Sequence, residues 1–176
     1  LLRPYLQKWD KKSSERVHTF FCNSKNIQNK IRKYYGREAQ IIYPPLDLER
    51  FKPGEEKQDY YLMIGAFAPN KRVDLAIRVF NHLKIPLKIV GRGQDESFCR
   101  SIAGPFIEFM GELDNGKILS LYQQARAFVF PGEDDFGITP LESQACGTPV
   151  IAYAAGGALE TVNGKTGIFF LKQTES

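Results

Sequence analysis

A chain of 176 residues, 43% hydrophobic and 25% charged, holds enough apolar material for one core and a fraction of another, which sets it apart from disordered and fibrous proteins. No run approaches the ~18 continuous apolar residues of a membrane span, and the opening LLRPYLQKWDKK lacks the ordered charge, apolar stretch and small cleavage site of a secretory signal, so a cytoplasmic location is expected. The net charge of +4 is unevenly spread: residues 1–37 carry ten Lys and Arg against Asp10 and Glu15, a balance of +8, while the rest carries 14 basic and 18 acidic residues.

Charge alone leaves open what the basic segment faces. Anionic lipid, nucleic acid and an acidic partner all attract Lys and Arg, and a solvated helix face holds them equally well. Within this segment RVHTFFCNS predicts a strand, KNIQNKIRKYYG a basic helix stopped by Gly36, and AQIIYPPLD a strand running into a Pro-Pro turn. KPGEEKQD then reads as a linker. This is too little for an independent domain. Residues 1–57 are therefore expected to be the end of a preceding domain plus linker, and residues 58–176 a second domain that LKQTES leaves without a structural ending.

From Tyr60 the pattern changes. YYLMIGAF, PLKIVG, FIEFMG, ARAFVFPG and PVIAYAAGG are continuous apolar runs of strand length, as expected for strands buried on both faces. Helical stretches alternate with them. Val73, Ala76, Ile77, Phe80 and Leu83 recur at helical spacing, and DNGKILSLYQQA opens with Asp114 as a cap and repeats Ile118, Leu121 and Tyr122. Strand then helix, five times over, predicts an α/β fold: a Rossmann-like parallel sheet with helices on both faces. Cys22, Cys99 and Cys146 are odd in number and far apart, so they read as buried apolar residues and not as a disulfide framework or zinc site.

In such sheets ligands gather beyond the carboxyl ends of the strands. The stretch FPGEDDFGITPLESQACGTPV, residues 130–150, lies there. A helix is expected to start near Ile138, with Pro140 tolerated in its first turn, leaving free N–H groups around Gly137 to Thr139 as an anion site. At about 1.5 Å per residue, Glu142 lies roughly 6 Å along that helix. From there its carboxylate can accept hydrogen bonds from the hydroxyls of a ligand whose phosphates rest on the helix end. That is the shape of a nucleotide.

Residues 130–162, FPGEDDFGITPLESQACGTPVIAYAAGGALETV, closely resemble the signature of the retaining, GT-B-fold glycosyltransferases of family 4: an acid, seven residues, Glu, then AxACGxPV and GGxxE. NSKNIQNKIRKYYGREAQIIYPPLDLERF, YLMIGAFAPNKRVDLAI, IEFMGELDNGKILSLYQQARAFVFPGEDDFG and NGKTGIFF look like segments of its mannosyltransferase-like branch. The likeness implies that residues 58–176 are most of a sugar-nucleotide-binding domain. The preceding residues would end an acceptor-binding domain whose remainder is missing.

Carried over by position, the resemblance gives Glu142 the ribose hydroxyls and the Gly137, Ile138, Thr139 and Leu141 backbone the distal phosphate. Lys71 would neutralise the diphosphate, and Asp134 would touch the transferred sugar. Gly91 and Gly93 would admit the base, with Gly111 and Leu113 at its edge. The implied reaction moves a hexose, mannose from GDP-mannose, to a glycan or lipid-linked acceptor with retention, without a metal or other cofactor. It assigns the basic segment to the acceptor side, where contact with the inner face of an anionic membrane is compatible and nucleic acid is not expected. The chain alone is expected to be inactive, because the catalytic cleft closes between two domains.

Two positions depart from the family pattern. Asp134 replaces a longer Glu, and Ala66 stands where an Arg usually pairs with the diphosphate. A charged hydrogen bond is worth about 1.5–3 kcal/mol, so its loss weakens binding about 10- to 100-fold. Arg92, in the Gly-Arg-Gly turn, is a candidate replacement, whereas Arg72 starts a helix and is expected to face water. The alternative reading is a module that binds a nucleotide sugar and transfers it poorly or not at all.

Overall fold

The computed structural model describes residues 2–175. The chain divides into two compact units between Pro45 and Leu46.

The first unit contains α1 (Leu2–Ser14), β1 (Phe20–Cys22), α2 (Lys25–Tyr35) and β2 (Ala39–Ile41). The strands pair in parallel, with Phe20 opposite Ala39 and Cys22 opposite Ile41. The Ser24 hydroxyl caps α2 by accepting from the Ile27 N–H at 3.0 Å, and Gly36 closes it in the left-handed conformation, as its sequence predicts. Helix α1 has no counterpart among the expected elements. Its Leu2, Tyr5, Leu6 and Trp9 fall at helical spacing, yet all four are exposed. The Tyr35 hydroxyl, donating to Asp10, and the Arg37 guanidinium, donating to the Ser14 and Val17 carbonyls, hold α1 in place.

The second unit is a six-stranded parallel sheet, in the order β5-β4-β3-β6-β7-β8. Its strands are β3 (Tyr61–Ile64), β4 (Leu87–Val90), β5 (Ile107–Gly111), β6 (Ala127–Phe130), β7 (Val150–Tyr153) and β8 (Gly167–Phe170). Between them run α3 (Val73–Leu83), α4 (Glu96–Ser101), α5 (Asn115–Gln124), α6 (Ile138–Ala145) and α7 (Ala158–Thr161). Asp114 caps α5 as expected, accepting from the Gly116 and Lys117 N–H groups. All four residues of β6 are buried. Because strand side chains alternate, Phe128 and Phe130 enter one core with Tyr122, Val150, Ala152 and Cys146, while Val129 enters the other with Met63, Ile77, Phe80 and Ile89. Leu46 and Phe51 pack on the first of these cores, which is why the compact unit begins at Leu46.

Five of the six strands coincide with the expected runs. The sixth, β8, was not legible because it is short and half exposed, with Ile168 open to solvent, and follows a helix of only four residues. The three cysteines are free and buried. Among the described residues no helix is long and apolar enough to cross a membrane.

At the carboxyl end of β4 the backbones of two loops come close together. Gly91 has φ 131°, and a Cβ there would sit 2.1 Å from the Gly65 carbonyl oxygen. Gly91→Ala is expected to cost about 2–4 kcal/mol through strain and overlap. Gly164→Ala, which meets nothing within 4 Å, should stay within about 0.5 kcal/mol of the parent in the same chemical denaturation experiment.

Candidate functional site

The strand order reverses between β3 and β6, the point in such a sheet where ligands gather beyond the carboxyl ends of the strands. The loop after β3 is locked to the loop after β4: the Phe67 N–H donates to the Arg92 carbonyl at 2.9 Å and the Asp95 N–H to the Phe67 carbonyl at 3.0 Å. On its other side it meets the loop after β6, where the Glu133 N–H donates to the Asn70 carbonyl at 3.1 Å. Lys71 ends a 3-10 turn, Pro69–Lys71, and its ammonium lies 2.5 Å from both carboxylate oxygens of Asp134. Both side chains remain about a quarter exposed or less. Two residues 63 positions apart in sequence therefore form one ion pair at the rim, spending part of the Lys71 charge within the protein.

Arg72 follows with φ 52°, a left-handed conformation that costs an L-residue about 1–2 kcal/mol. Its side chain does not face water as expected. The guanidinium donates to Asp74 at 3.2 Å and to the Gln173 side-chain oxygen at 3.0 Å, and Gln173 in turn donates to the Pro131 carbonyl at 2.8 Å. These bonds tie the C-terminal segment to the loop after β6.

Helix α6 starts at Ile138 with Pro140 in its first turn, as the sequence predicts. Gly137 enters it at φ 86°, and no side chain caps it. The amides of Ile138, Thr139 and Leu141 thus sit at a bare positive helix end. One turn in, Glu142 is half-buried, and the Tyr122 hydroxyl donates to its Oε2 at 2.8 Å. Among the described residues no other donor reaches this carboxylate. Burial raises the Glu142 pKa from its ordinary 4.5, opposed by the Tyr122 hydrogen bond and the positive charge of Arg50. Tyr122 itself is fully buried from α5, its ring set edge-on to Phe51 at 6.1 Å and tilted on Phe128 at 5.5 Å. Burial, then the nearby carboxylate, keeps its phenol protonated. Cys146, one turn beyond Glu142, is pushed up to about 11 by burial, which keeps it a thiol and unreactive.

The remaining expected residues fall into three groups. Gly91 and Gly93 lie at the rim, but their lack of a side chain already has a packing reason, since a Cβ at either would strike the loop after β3 at Gly65 or Phe67. Gly111 ends β5 at φ 66° with open space beside it, and Leu113 lines a shallow cavity of about 420 Å³ with Met110 and Lys117. Arg92 is exposed, and among the described residues its side chain makes no hydrogen bond or ion pair. Ala66 is exposed in the neighbouring loop. A separate apolar cavity of about 360 Å³ between α3 and β8 contains none of these residues. Among the described residues no group of three or more His, Cys, Asp or Glu is placed to hold a metal ion.

Tyr122 was not singled out as functional from sequence, where it appears only as part of the apolar repeat of α5. Its spacing from Glu142, 20 residues across two strand–helix connections, carries no local signal.

The sequence pattern of the glycosyl transferases group 1 family matches residues 46–175. This chain belongs to that family. Among its relatives, an uncharacterized glycosyltransferase of Methanocaldococcus jannaschii is 28% identical over 163 residues, covering 90% of this chain and 45% of the relative. The O-antigen chain mannosyltransferase RfbU of Salmonella typhimurium is 27% identical over 153 residues, covering 80% and 43%. A GDP-mannose-dependent monoacylated alpha-(1-6)-phosphatidylinositol monomannoside mannosyltransferase of Corynebacterium glutamicum is 38% identical over 93 residues, 47% of this chain and 24% of the relative. The chain thus spans less than half the length of these curated relatives. In fold it matches Anabaena HepE, solved with UDP and glucose, at a TM-score of 0.83 and 17% identity over 96% of this chain and 54% of HepE. Sucrose-phosphate synthase of Thermosynechococcus elongatus matches at 0.78 and 23%, over 93% and 47%. The group 1 chain therefore has the six-stranded parallel sheet flanked by helices of GT-B glycosyltransferases.

Glu142 makes a sign-definite prediction for this group 1 domain. An acid whose folded pKa is raised favours the folded state while protonated, and that contribution is lost as pH rises from 4.5 through the raised value. Glu142→Gln, which keeps an oxygen for Tyr122, is expected to melt higher than the parent at pH 7. The difference should shrink towards zero as the pH falls below 4.5 in a thermal melt series.

Proposed function

We propose that this chain is the nucleotide-sugar half of a retaining glycosyltransferase that moves mannose from GDP-mannose to a glycan or lipid-linked acceptor. The observation that carries this reading is the meeting, at one switch point, of Lys71 and Asp134 with the uncapped start of α6 and Glu142 one turn along it. The names of the Salmonella and Corynebacterium relatives support mannose, and that of the Corynebacterium protein supports GDP as its carrier.

In this reading the diphosphate rests on the amides of Ile138, Thr139 and Leu141 and draws Lys71 away from Asp134, because it concentrates more negative charge than one carboxylate. Glu142 accepts from the ribose hydroxyls, the Gly111–Leu113 turn borders the base, and the freed Asp134 accepts from the sugar. The bond between the anomeric carbon and the diphosphate oxygen breaks with positive charge building on the sugar. The acceptor hydroxyl then bonds to the face the diphosphate left and gives its proton to the departing diphosphate oxygen, so configuration is retained. Lys71 and the α6 amides stabilise the departing diphosphate, which is the protein's main electrostatic contribution. No metal or other cofactor is assigned a role. Arg92, exposed and unpaired beside the loop that carries Ala66, supplies the second positive charge.

The acceptor side is assigned to residues preceding this chain together with the first unit. Support comes from the apolar face of α1, which stands exposed, and from the length of the relatives. The basic segment and this assignment together fit a cytoplasmic protein at the inner face of a membrane. The ion pair favours a second reading: with Lys71 held by Asp134 and no charge at Ala66, the site would bind a donor without transferring it.

GDP, UDP and ADP, each added at 100 times its dissociation constant or more, should raise the melting temperature only if they bind the folded state, a stabilisation of about 2.7 kcal/mol. GDP is expected to bind most tightly and therefore to act at the lowest concentration, and no shift with any of them at millimolar levels rules the donor site out. Release or transfer of label from GDP-[14C]mannose by the protein carrying its preceding domain separates an enzyme from a binder. Arg92→Ala should weaken GDP binding about tenfold by calorimetry, and a change below twofold removes Arg92 from the site.

A further inference from the structure

We infer that Tyr122 is a positioning residue for nucleotide recognition: its hydroxyl fixes the Glu142 carboxylate so that the free oxygen, Oε1, is presented to a ribose. The inference rests on the proposed role of Glu142 and adds a residue that role does not contain. Three observations carry it. The Tyr122 hydroxyl donates to Oε2 at 2.8 Å, and among the described residues nothing donates to Oε1. A carboxylate with one oxygen satisfied cannot rotate about its last bond without breaking that hydrogen bond, so the second oxygen keeps one direction. The donor is itself immobile: Tyr122 is fully buried, braced by Phe51 and Phe128, and its backbone carbonyl accepts from the Thr148 hydroxyl.

The arrangement is more specific than burial requires. A phenylalanine would fill the same space between Phe51 and Phe128, and the other buried hydroxyls nearby, of Tyr60 and Thr148, donate to the Leu121 and Tyr122 carbonyls and not to Glu142. The hydroxyl therefore has one partner, and that partner is the carboxylate on the rim helix. A water molecule replacing it would satisfy Oε2 equally well but would not fix its direction. Pre-orienting a hydrogen-bond acceptor before the ligand arrives lowers the cost of ordering it on binding.

The test is the ratio of two affinities measured on one protein, GDP against 2′,3′-dideoxy-GDP, by calorimetry, with UDP and its dideoxy form as a second pair. Both ligands bind the same folded population, so the ratio is insensitive to any loss of stability in a variant. In the parent the hydroxyl-bearing nucleotide is expected to bind at least about tenfold tighter. Tyr122→Phe should cut that ratio about fivefold while leaving the affinity for the dideoxy form within twofold. In a Glu142→Ala background the same Tyr122→Phe change should leave the ratio where it was, since its effect passes through the carboxylate.

A parent ratio near one would overturn the ribose role of Glu142 itself. A parent ratio near ten that survives Tyr122→Phe would leave Glu142 in place and overturn the positioning role alone. An equal loss for both nucleotide forms would mark Tyr122 as structural, which also overturns it.

Discussion

Three loops at the carboxyl rim approach so closely that no side chain fits between their backbones. A Cβ on Gly132 would lie 2.3 Å from the Asn70 carbonyl oxygen, and one on Gly157 would lie 2.3 Å from the Phe136 backbone. The Gly157 N–H donates to the Asp134 carbonyl at 2.8 Å, and the Asp134 side chain holds Lys71. Residue 134 is thus where the loops after β3, β6 and β7 are joined, once through its backbone and once through its carboxylate. The turn at Gly137 that starts α6 follows three residues after this crossing. Side-chain precision at a site requires a backbone that cannot drift, and here contact between main chains supplies it.

The same crossing explains why two candidate charges are found together. Sequence order and family likeness assign Lys71 and Asp134 separate tasks, because nothing in a linear pattern shows that the loops carrying them touch. In the folded chain each is the other's nearest charge. The pair keeps 26% and 20% of its side-chain surfaces exposed, so water screens part of its attraction.

What was legible from sequence follows from periodicity and local chemistry. The runs around Leu62, Phe128 and Val150 are apolar because their strands are largely buried, the run around Phe109 is readable although β5 is an edge strand with no buried residue, and the caps at Ser24, Asp114 and Gly36 act over three or four residues. Helix α1 does carry Leu2, Tyr5, Leu6 and Trp9 at helical spacing, a period masked only by the basic residues between them, whereas strand β8 offers four residues with Ile168 and Phe169 exposed. At the site, Gly137, Pro140 and Glu142 were readable because strand, turn and helix are contiguous. Tyr122 was not, since the hydroxyl that matters differs from a core phenylalanine by one atom, and its partner is reached only through the fold.

Tyr122 and Glu142 also show how a site and a core share one volume. A carboxylate half out of water disfavours its own ionisation, and folding with it charged lowers the stability of the domain at neutral pH. A core selected for stability alone would place an amide or an apolar residue there. Retaining the acid, with a buried phenol directed at it, makes sense if the direction of one oxygen matters more than the stability lost. The phenol offsets part of that loss by stabilising the charged form, and the positive charge of Arg50 acts in the same sense. Cys146 stays neutral beside them because burial outweighs the nearby cations. Around Glu142, burial therefore opposes the charged form while the Tyr122 hydroxyl and the Arg50 charge favour it.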